Sequence, residues 1–371
     1  MSTLAGPRAP CQAREGTRDR VCLHRRMQRH VGLRCMVAVC MALMTFWASA
    51  DSAPAEITGL YNAVFTEYSP LSTNTELARR LLTPLNAARI PQLLARAGKE
   101  LSEQPVRLSD EKFVVYVPER APPHGYALLV FVAPWPQATL PRGWAAVLDR
   151  FGVIFVSAAG AGNEASSLDR REPLALLAAH NIIRRYAVDM EHVYVGGFSG
   201  GSRIAMRLAL GYPDIFRGAL LNAGSDPIGS AEIPLPPRDL LVRFQSSSRL
   251  VYVTGEEDLP RLDMDVQSIH SMREWCVFDV DTQITRRMAH EVATPGALSA
   301  ALRALLNPAG PDPRRLAGCR AGIEKRLAAQ LQQVDSLTAG GQRDNAQKLL
   351  HEIDARFGGL AAPRSLELEK H

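Results

Sequence analysis

The chain has 371 residues, 46% of them hydrophobic and 22% charged, with 27 Gly, 25 Pro and 6 Cys. That composition excludes a collagen-like, disordered or coiled-coil protein and suits a globular protein with a large core. The formal charge of +5 sits in the first fifty residues, where 8 Arg meet 2 acidic side chains; the 35 basic and 36 acidic groups beyond them nearly cancel.

A nearly neutral body lacks the electrostatic footprint of a nucleic-acid binder, so no nucleic-acid partner is expected. The pairs Arg170-Arg171, Arg184-Arg185 and Arg286-Arg287 are scattered among apolar segments, and they read as helix caps or solvated faces.

Residues 35–50 form an uncharged run that ends Ala48-Ser49-Ala50, preceded by Arg25, Arg26, Arg29 and Arg34. A basic region, a short apolar stretch and an A-x-A site predict a secretory signal peptide cleaved after Ala50. The run is shorter than the roughly 20 residues that span a bilayer, and no Cys follows the cleavage site to carry a lipid. Residues 1–50 are therefore expected to be the leader, with Met27 as a start that would give it ordinary length. The mature chain is expected in the periplasm or secreted, off the membrane. Cys11, Cys22, Cys35 and Cys40 would leave with the leader. Cys276 and Cys319 would remain, either as one disulfide or as two separate buried thiols.

Residues 52–108 read as helical. Leu77, Leu81 and Leu82, then Leu93, Leu94, Ala97 and Leu101, recur at helical spacing around Pro84 and Pro91. The segment 51–111 is thus predicted to be an N-terminal helical addition packed on something larger. From residue 112 the texture changes to short β-branched or apolar runs: Phe113–Val117, Tyr126–Ala133, Val153–Ser157, Val193–Gly196, Gly218–Asn222, Leu250–Thr254 and Thr282–Arg286. The middle runs are continuous rather than alternating, as in strands buried on both faces. Helical patterns at 166–187, 201–211 and 263–276 lie between them. Strands alternating with helices predict an α/β domain over 112–306, with a mainly parallel sheet flanked by helices. After Asn307-Pro308-Ala309-Gly310-Pro311, two apolar helical patterns separated by Ala339-Gly340-Gly341 predict a C-terminal helical hairpin over 307–371. One hairpin buries too little alone, so it must dock on the α/β domain or on a protein partner.

The chemistry centres on Gly197-Phe198-Ser199-Gly200-Gly201. The strand Val193–Gly196 enters it and a helical stretch leaves it, which gives G-x-S-x-G in strand–turn–helix context. The sharp turn presents Ser199 Oγ at a helix N-terminus, and the glycines let neighbouring chain approach closely. A serine nucleophile needs a base, and the base an orienting carboxylate. Asp258, in the turn after the strand Leu250–Thr254, is the expected acid, with Asp226 after the preceding strand as the alternative. Glu256 and Glu257 read as solvated. Among the histidines beyond Asp258, His270 falls within a helix, His351 in the hairpin and His371 at the last position. His290, on a loop after Thr282–Arg286, is the expected base. The oxyanion donors should be the backbone N–H groups of Gly200 and of the loop Ala133-Pro134-Trp135-Pro136, where proline has no N–H. Trp135 is the expected second donor, with Ala133 behind it. Its ring either walls the substrate site or fills the core.

Other chemistry lacks its residues. His290-Glu291-Val292-Ala293-Thr294 begins like a zinc-protease motif without the second His. Gly160-Ala161-Gly162 lacks the third glycine of a dinucleotide fingerprint. No Cys/His spacing indicates a metal, and no cofactor is expected.

The Gly197–Arg203 stretch, the Gly255-Glu256-Glu257-Asp258 turn and the His290 loop resemble the α/β-hydrolase superfamily, and within it polyhydroxybutyrate depolymerase and feruloyl-esterase-like secreted serine esterases. The resemblance covers about 112–306. It implies that Ser199 attacks an ester carbonyl, of a small or polymeric substrate, with His290 as base and then acid. Asp258 would orient His290, and an acyl-enzyme would form on Ser199. Two other readings stay open: a serine peptidase on the same fold, and a hydrolase-like scaffold that mainly binds a protein or polymer.

Overall fold

The computed structural model describes residues 57–370. The expected leader, its cleavage point, Met27 and the four cysteines before residue 50 lie outside the described residues, as does His371.

Eight strands form one sheet among the described residues: β1 (Gly59–Ala63), β2 (Phe113–Val117), β3 (Tyr126–Val132), β4 (Val153–Ala158), β5 (Val188–Phe198), β6 (Gly218–Asn222), β7 (Arg249–Gly255) and β8 (Val280–Thr285). They lie in the order β1-β2-β4-β3-β5-β6-β7-β8. The pairings β1–β2 and β2–β4 are antiparallel, and every pairing from β4 across to β8 is parallel. The helices are α1 (Asn74–Leu81), α2 (Pro84–Arg96), α3 (Trp144–Phe151), α4 (Glu172–Arg185), α5 (Gly200–Gly211), α6 (Arg238–Ser247), α7 (Leu259–Glu274), α8 (Pro295–Leu306), α9 (Pro313–Ala339), α10 (Arg343–Phe357) and α11 (Arg364–Leu368).

The continuous apolar runs are explained by two cores, one on each face. Every residue of β3 is buried; Leu128, Val130 and Val132 enter one core and Leu129 and Phe131 the other. Alternation in side-chain direction with burial on both sides leaves no polar positions to alternate. The second face is closed by α3 and α8 through Trp144, Leu148, Leu298 and Leu302. The first is closed by α4 and α5, through residues such as Leu177 and Leu208. The parallel sheet with both faces covered is the architecture the strand and helix pattern predicts.

The N-terminal segment departs from its all-helical reading. It opens with β1, whose register pairs Tyr61 with Val115. Gly-Leu-Tyr-Asn-Ala has no strong period of its own, and it becomes a strand because the edge of β2 offers unpaired backbone groups. The helix also stops early. Its last residue is Arg96, Gly98 turns the chain at φ +62°, and Leu93 and Leu101 stay exposed. By contrast Leu77, Leu81 and Leu85 are buried in the sheet's own core.

The C-terminal hairpin α9–α10 docks on the body. Ile323, Leu327, Val334, Leu350 and Phe357 belong to that same core, and the rings of Trp275 and Phe357 meet edge to face at 5.6 Å. Cys276 and Cys319 are disulfide-bonded with Cα atoms 5.8 Å apart, which ties α9 to the end of α7. Among the described residues no helix is long and apolar enough to cross a membrane. The disulfide closes a loop of 43 residues, for which chain entropy gives about 4 kcal/mol. Cys319→Ser should therefore lower the unfolding free energy by about 2–4 kcal/mol in oxidising buffer. Denaturant unfolding with an unchanged midpoint would contradict this.

Candidate active site

The turn between β5 and α5 is built from glycines that admit no side chain. A Cβ on Gly201 would lie 1.9 Å from the carbonyl oxygen of Val132 at the end of β3, and one on Gly197 2.2 Å from Gly201 itself. This close approach folds the chain back sharply and forces Ser199 to φ 54°, ψ −119°, a region that costs a non-glycine residue about 1–3 kcal/mol. Its backbone is pinned there, since Ser199 N donates to Asn222 O at 2.8 Å.

The turn delivers Ser199 Oγ to His290. Nε2 of His290 lies 2.9 Å from Oγ, and Nδ1 lies 2.6 Å from Oδ2 of Asp258. The serine is on the tight turn after β5, the carboxylate on the turn after β7, and the imidazole on the loop between β8 and α8. Asp258 is buried, whereas the His290 side chain is 39% exposed. A serine, imidazole and carboxylate joined end to end in this way can transfer the serine proton to the ring and hold the imidazolium that results.

That chain of bonds, in the order Ser, Asp, His, sits at the carboxyl ends of the strands of a mostly parallel sheet. The mostly parallel sheet, its flanking helices and the order of these residues resemble the α/β-hydrolase fold. No family model matches the sequence. Over 131 residues the chain is 29% identical to "Putative esterase NocK" of Nocardia uniformis subsp. tsuyamanensis, a match that spans 33% of this chain and 38% of that protein. Among solved structures, S-formylglutathione hydrolase (FrmB) from Staphylococcus aureus is similar over 53% of this chain and 90% of its own, at 13% identity and a TM-score of 0.41. Est1E from Butyrivibrio proteoclasticus is similar over 53% and 93%, at 14% identity and 0.38. A putative dipeptidyl aminopeptidase IV from Bacteroides ovatus is similar over 52% of this chain and 33% of its own, at 15% identity and 0.40.

The remaining sequence-predicted residues fall into two groups. Gly200 is the first residue of α5 and lines the cavity with Ser199, its backbone close to the side chain of Asn163. The Trp135 loop is fixed by its carbonyls: Ala133 O accepts from Arg171, Pro134 O from Asn163 N and Pro136 O from Gly160 N. Among the described residues no carbonyl accepts from Trp135 N. The Trp135 ring packs on Phe198 at 6.0 Å, and Phe198 in turn lies 4.9 Å from the His290 ring, so it backs the His290 side through Phe198 and does not line the cavity over Ser199. Asp226 is not brought to His290. Its carboxylate faces Arg203 at 3.5 Å, because the turn after β6 points toward α5 while the His290 loop meets the turn after β7. Glu256 and Glu257 are exposed, and so is His270 on α7; His351 on α10 bonds Arg89.

Three residues of the site escape the motif reading. Asn222, fully buried at the end of β6, donates through Nδ2 to Val253 O at 2.8 Å and accepts from Ala293 N at 2.7 Å. It fastens the His290 loop to the sheet. A lone amide ending the apolar run Gly-Ala-Leu-Leu was its sequence signal. Arg171, read as a capping or solvated residue, is instead buried and lines the cavity over Ser199; a π-helical turn at Ser167–Arg171 rotates it inward ahead of α4. Asp265 on α7 is buried behind Asp258, accepting from Thr254 Oγ1 at 2.5 Å and Ser225 N at 3.1 Å.

Burial pushes the Asp265 carboxyl up to about 6, and the charge of Asp258 adds to the rise. The folded chain then holds a proton that the unfolded chain releases near its ordinary value of about 3.9, so this group's contribution to stability falls as pH rises from about 4 to 6. Asp265→Asn should gain about 1–3 kcal/mol on the wild type across that window and keep the gain at pH 7. A wild-type-to-variant difference that is flat with pH, measured by denaturant unfolding, would contradict the assignment.

Proposed function

We propose that the chain is a serine hydrolase that cleaves carboxylic esters through an acyl-enzyme on Ser199. The observation that carries the reading is the continuous Ser199–His290–Asp258 hydrogen-bond chain. In this mechanism Nε2 of His290 takes the Ser199 proton as Oγ attacks the ester carbonyl. The negative charge that develops on the carbonyl oxygen is met by the backbone N–H groups of Gly200 and Trp135. His290 then gives its proton to the departing alkoxide. The acyl group remains on Oγ until water, deprotonated by His290, attacks it and returns Ser199. Asp258 keeps Nδ1 protonated and the ring oriented throughout.

Acting outside the cytoplasm, in the periplasm or after secretion, is part of the same proposal. The Arg-rich, apolar, Ala48-Ser49-Ala50 leader pattern supports it, and the Cys276–Cys319 disulfide suits an oxidising compartment.

The test is a substrate panel of short p-nitrophenyl esters against peptide p-nitroanilides, run with purified wild type and with Ser199→Ala, His290→Ala and Asp258→Asn. Esters should be turned over, and kcat should fall by about 10³-fold or more in each variant. Anilides cleaved faster than esters would favour the peptidase reading. Ester turnover that survives Ser199→Ala would remove the mechanism.

A further inference from the structure

The cavity over Ser199 has a volume of about 780 Å³ and is lined by four arginines, Arg171, Arg203, Arg207 and Arg261, against the carboxylates of Asp169, Asp226 and Glu232. The arginines differ in what the protein gives them. Arg207 is fully engaged: Nε donates to Glu172 at 2.5 Å and its other nitrogens to the carbonyls of Glu232 and Leu81. Arg203 is looser. Its Nε lies 3.5 Å from Asp226, and the side chain is 43% exposed.

Arg171 has no carboxylate hydrogen-bonded to it among the described residues. Its Nε donates to Ala161 O at 2.8 Å and its Nη2 to Ala133 O at 3.3 Å, both neutral carbonyls, and the residue is only 5% exposed. A guanidinium stays charged in proteins; the neighbouring carboxylate of Glu172 favours the Arg171 charge but is itself hydrogen-bonded to Arg207, and burial works against the charge. An anion in the cavity would offset that cost, and the planar guanidinium fork suits a carboxylate.

Arg203 is in the first turn of α5, which starts at Gly200 directly after Ser199, and it lines the same cavity as Ser199. Ala133, which Arg171 holds, belongs to the loop whose first residues back onto Gly201. Both arginines therefore line the cavity into which Ser199 opens.

We infer that the cavity selects esters that carry a carboxylate close to the scissile bond, with Arg171 and Arg203 as the contacts that determine this specificity. The inference rests on the serine-hydrolase reading above and names its substrate class. Hydrolysis would consume one water, break the acyl C–O bond, and leave an acid and an alcohol, one of which bears the second carboxylate.

The test compares charged esters with neutral carboxamide isosteres, with the charge placed on each side of the bond. The acyl-side pair is p-nitrophenyl hemiglutarate and p-nitrophenyl 4-carbamoylbutyrate; the alcohol-side pair is the butyryl esters of glycolate and glycolamide. In wild type, kcat/KM for the charged member of at least one pair should exceed its isostere by about tenfold or more, chiefly through KM, as expected for a charge-assisted hydrogen bond. Arg203→Gln should lower that ratio, and Arg171→Met should bring it toward one. If Arg171 merely held the Ala133 loop, its replacement would slow both members equally and leave the ratio intact. Arg171→Lys, which keeps a cation without the fork, serves if the Met variant does not fold. Neutral esters hydrolysed as well as charged ones in both pairs, or a ratio unmoved by Arg203→Gln and by a folded Arg171 variant, would overturn this inference and leave the hydrolase standing. No ester cleaved faster than by Ser199→Ala would remove the hydrolase reading and this one with it.

Discussion

The approach of Gly201 to the carbonyl of Val132 governs the geometry of the site. No side chain fits between them, so the start of α5 sits directly on the end of β3, and the chain from β5 must reverse within one residue. Ser199 takes the resulting φ of 54°. The strain is local and the compensation is spread over the sheet, where the bond from Ser199 N to Asn222 O and the two-sided burial of β5 hold the turn in place.

His290 and Asp258 depend on a second layer of fastening. Gly255 also has no room for a side chain, because the backbone of Met288 and Ala289 presses on it. Glu257 N donates to Met288 O, Ala293 N to Asn222, and the indole of Trp144 to Ala293 O at 2.8 Å. The loop carrying His290 is thus tied at one end to the turn after β7 and at the other to the end of β6, and one buried residue, Asn222, links the backbone of Ser199 with that loop. Such fixed geometry is what lets a serine act as a nucleophile without large rearrangement on binding.

The parts of this arrangement that follow from local pattern were legible in the sequence. The buried strands announce themselves as apolar runs, the elbow by G-x-S-x-G between a strand and a helix, and Asp258 and His290 by their places after later strands. The parts set by tertiary contact were not. β1 has no period of its own and exists because β2 has a free edge. Arg171 reads as one of a solvated pair until a π-helical turn rotates it into the cavity, and its partner Arg170 instead bonds Glu111 across 59 residues. Asp265 looks like any helix-surface carboxylate in a segment of charged residues, and its burial behind Asp258 comes only from the packing of α7 on β7. The pairing of Cys276 with Cys319 required knowing that α9 returns to the end of α7.

The proposed chemistry rests on activation of Ser199 by His290 on this turn. Reaction of the folded protein with a fluorophosphonate, read by intact mass and peptide mapping, tests it most directly, because the probe requires an activated nucleophile and no knowledge of the substrate. The expected result is one adduct per chain, on Ser199, formed far more slowly in His290→Ala. A folded chain that stays unlabelled, or that labels elsewhere, would contradict it.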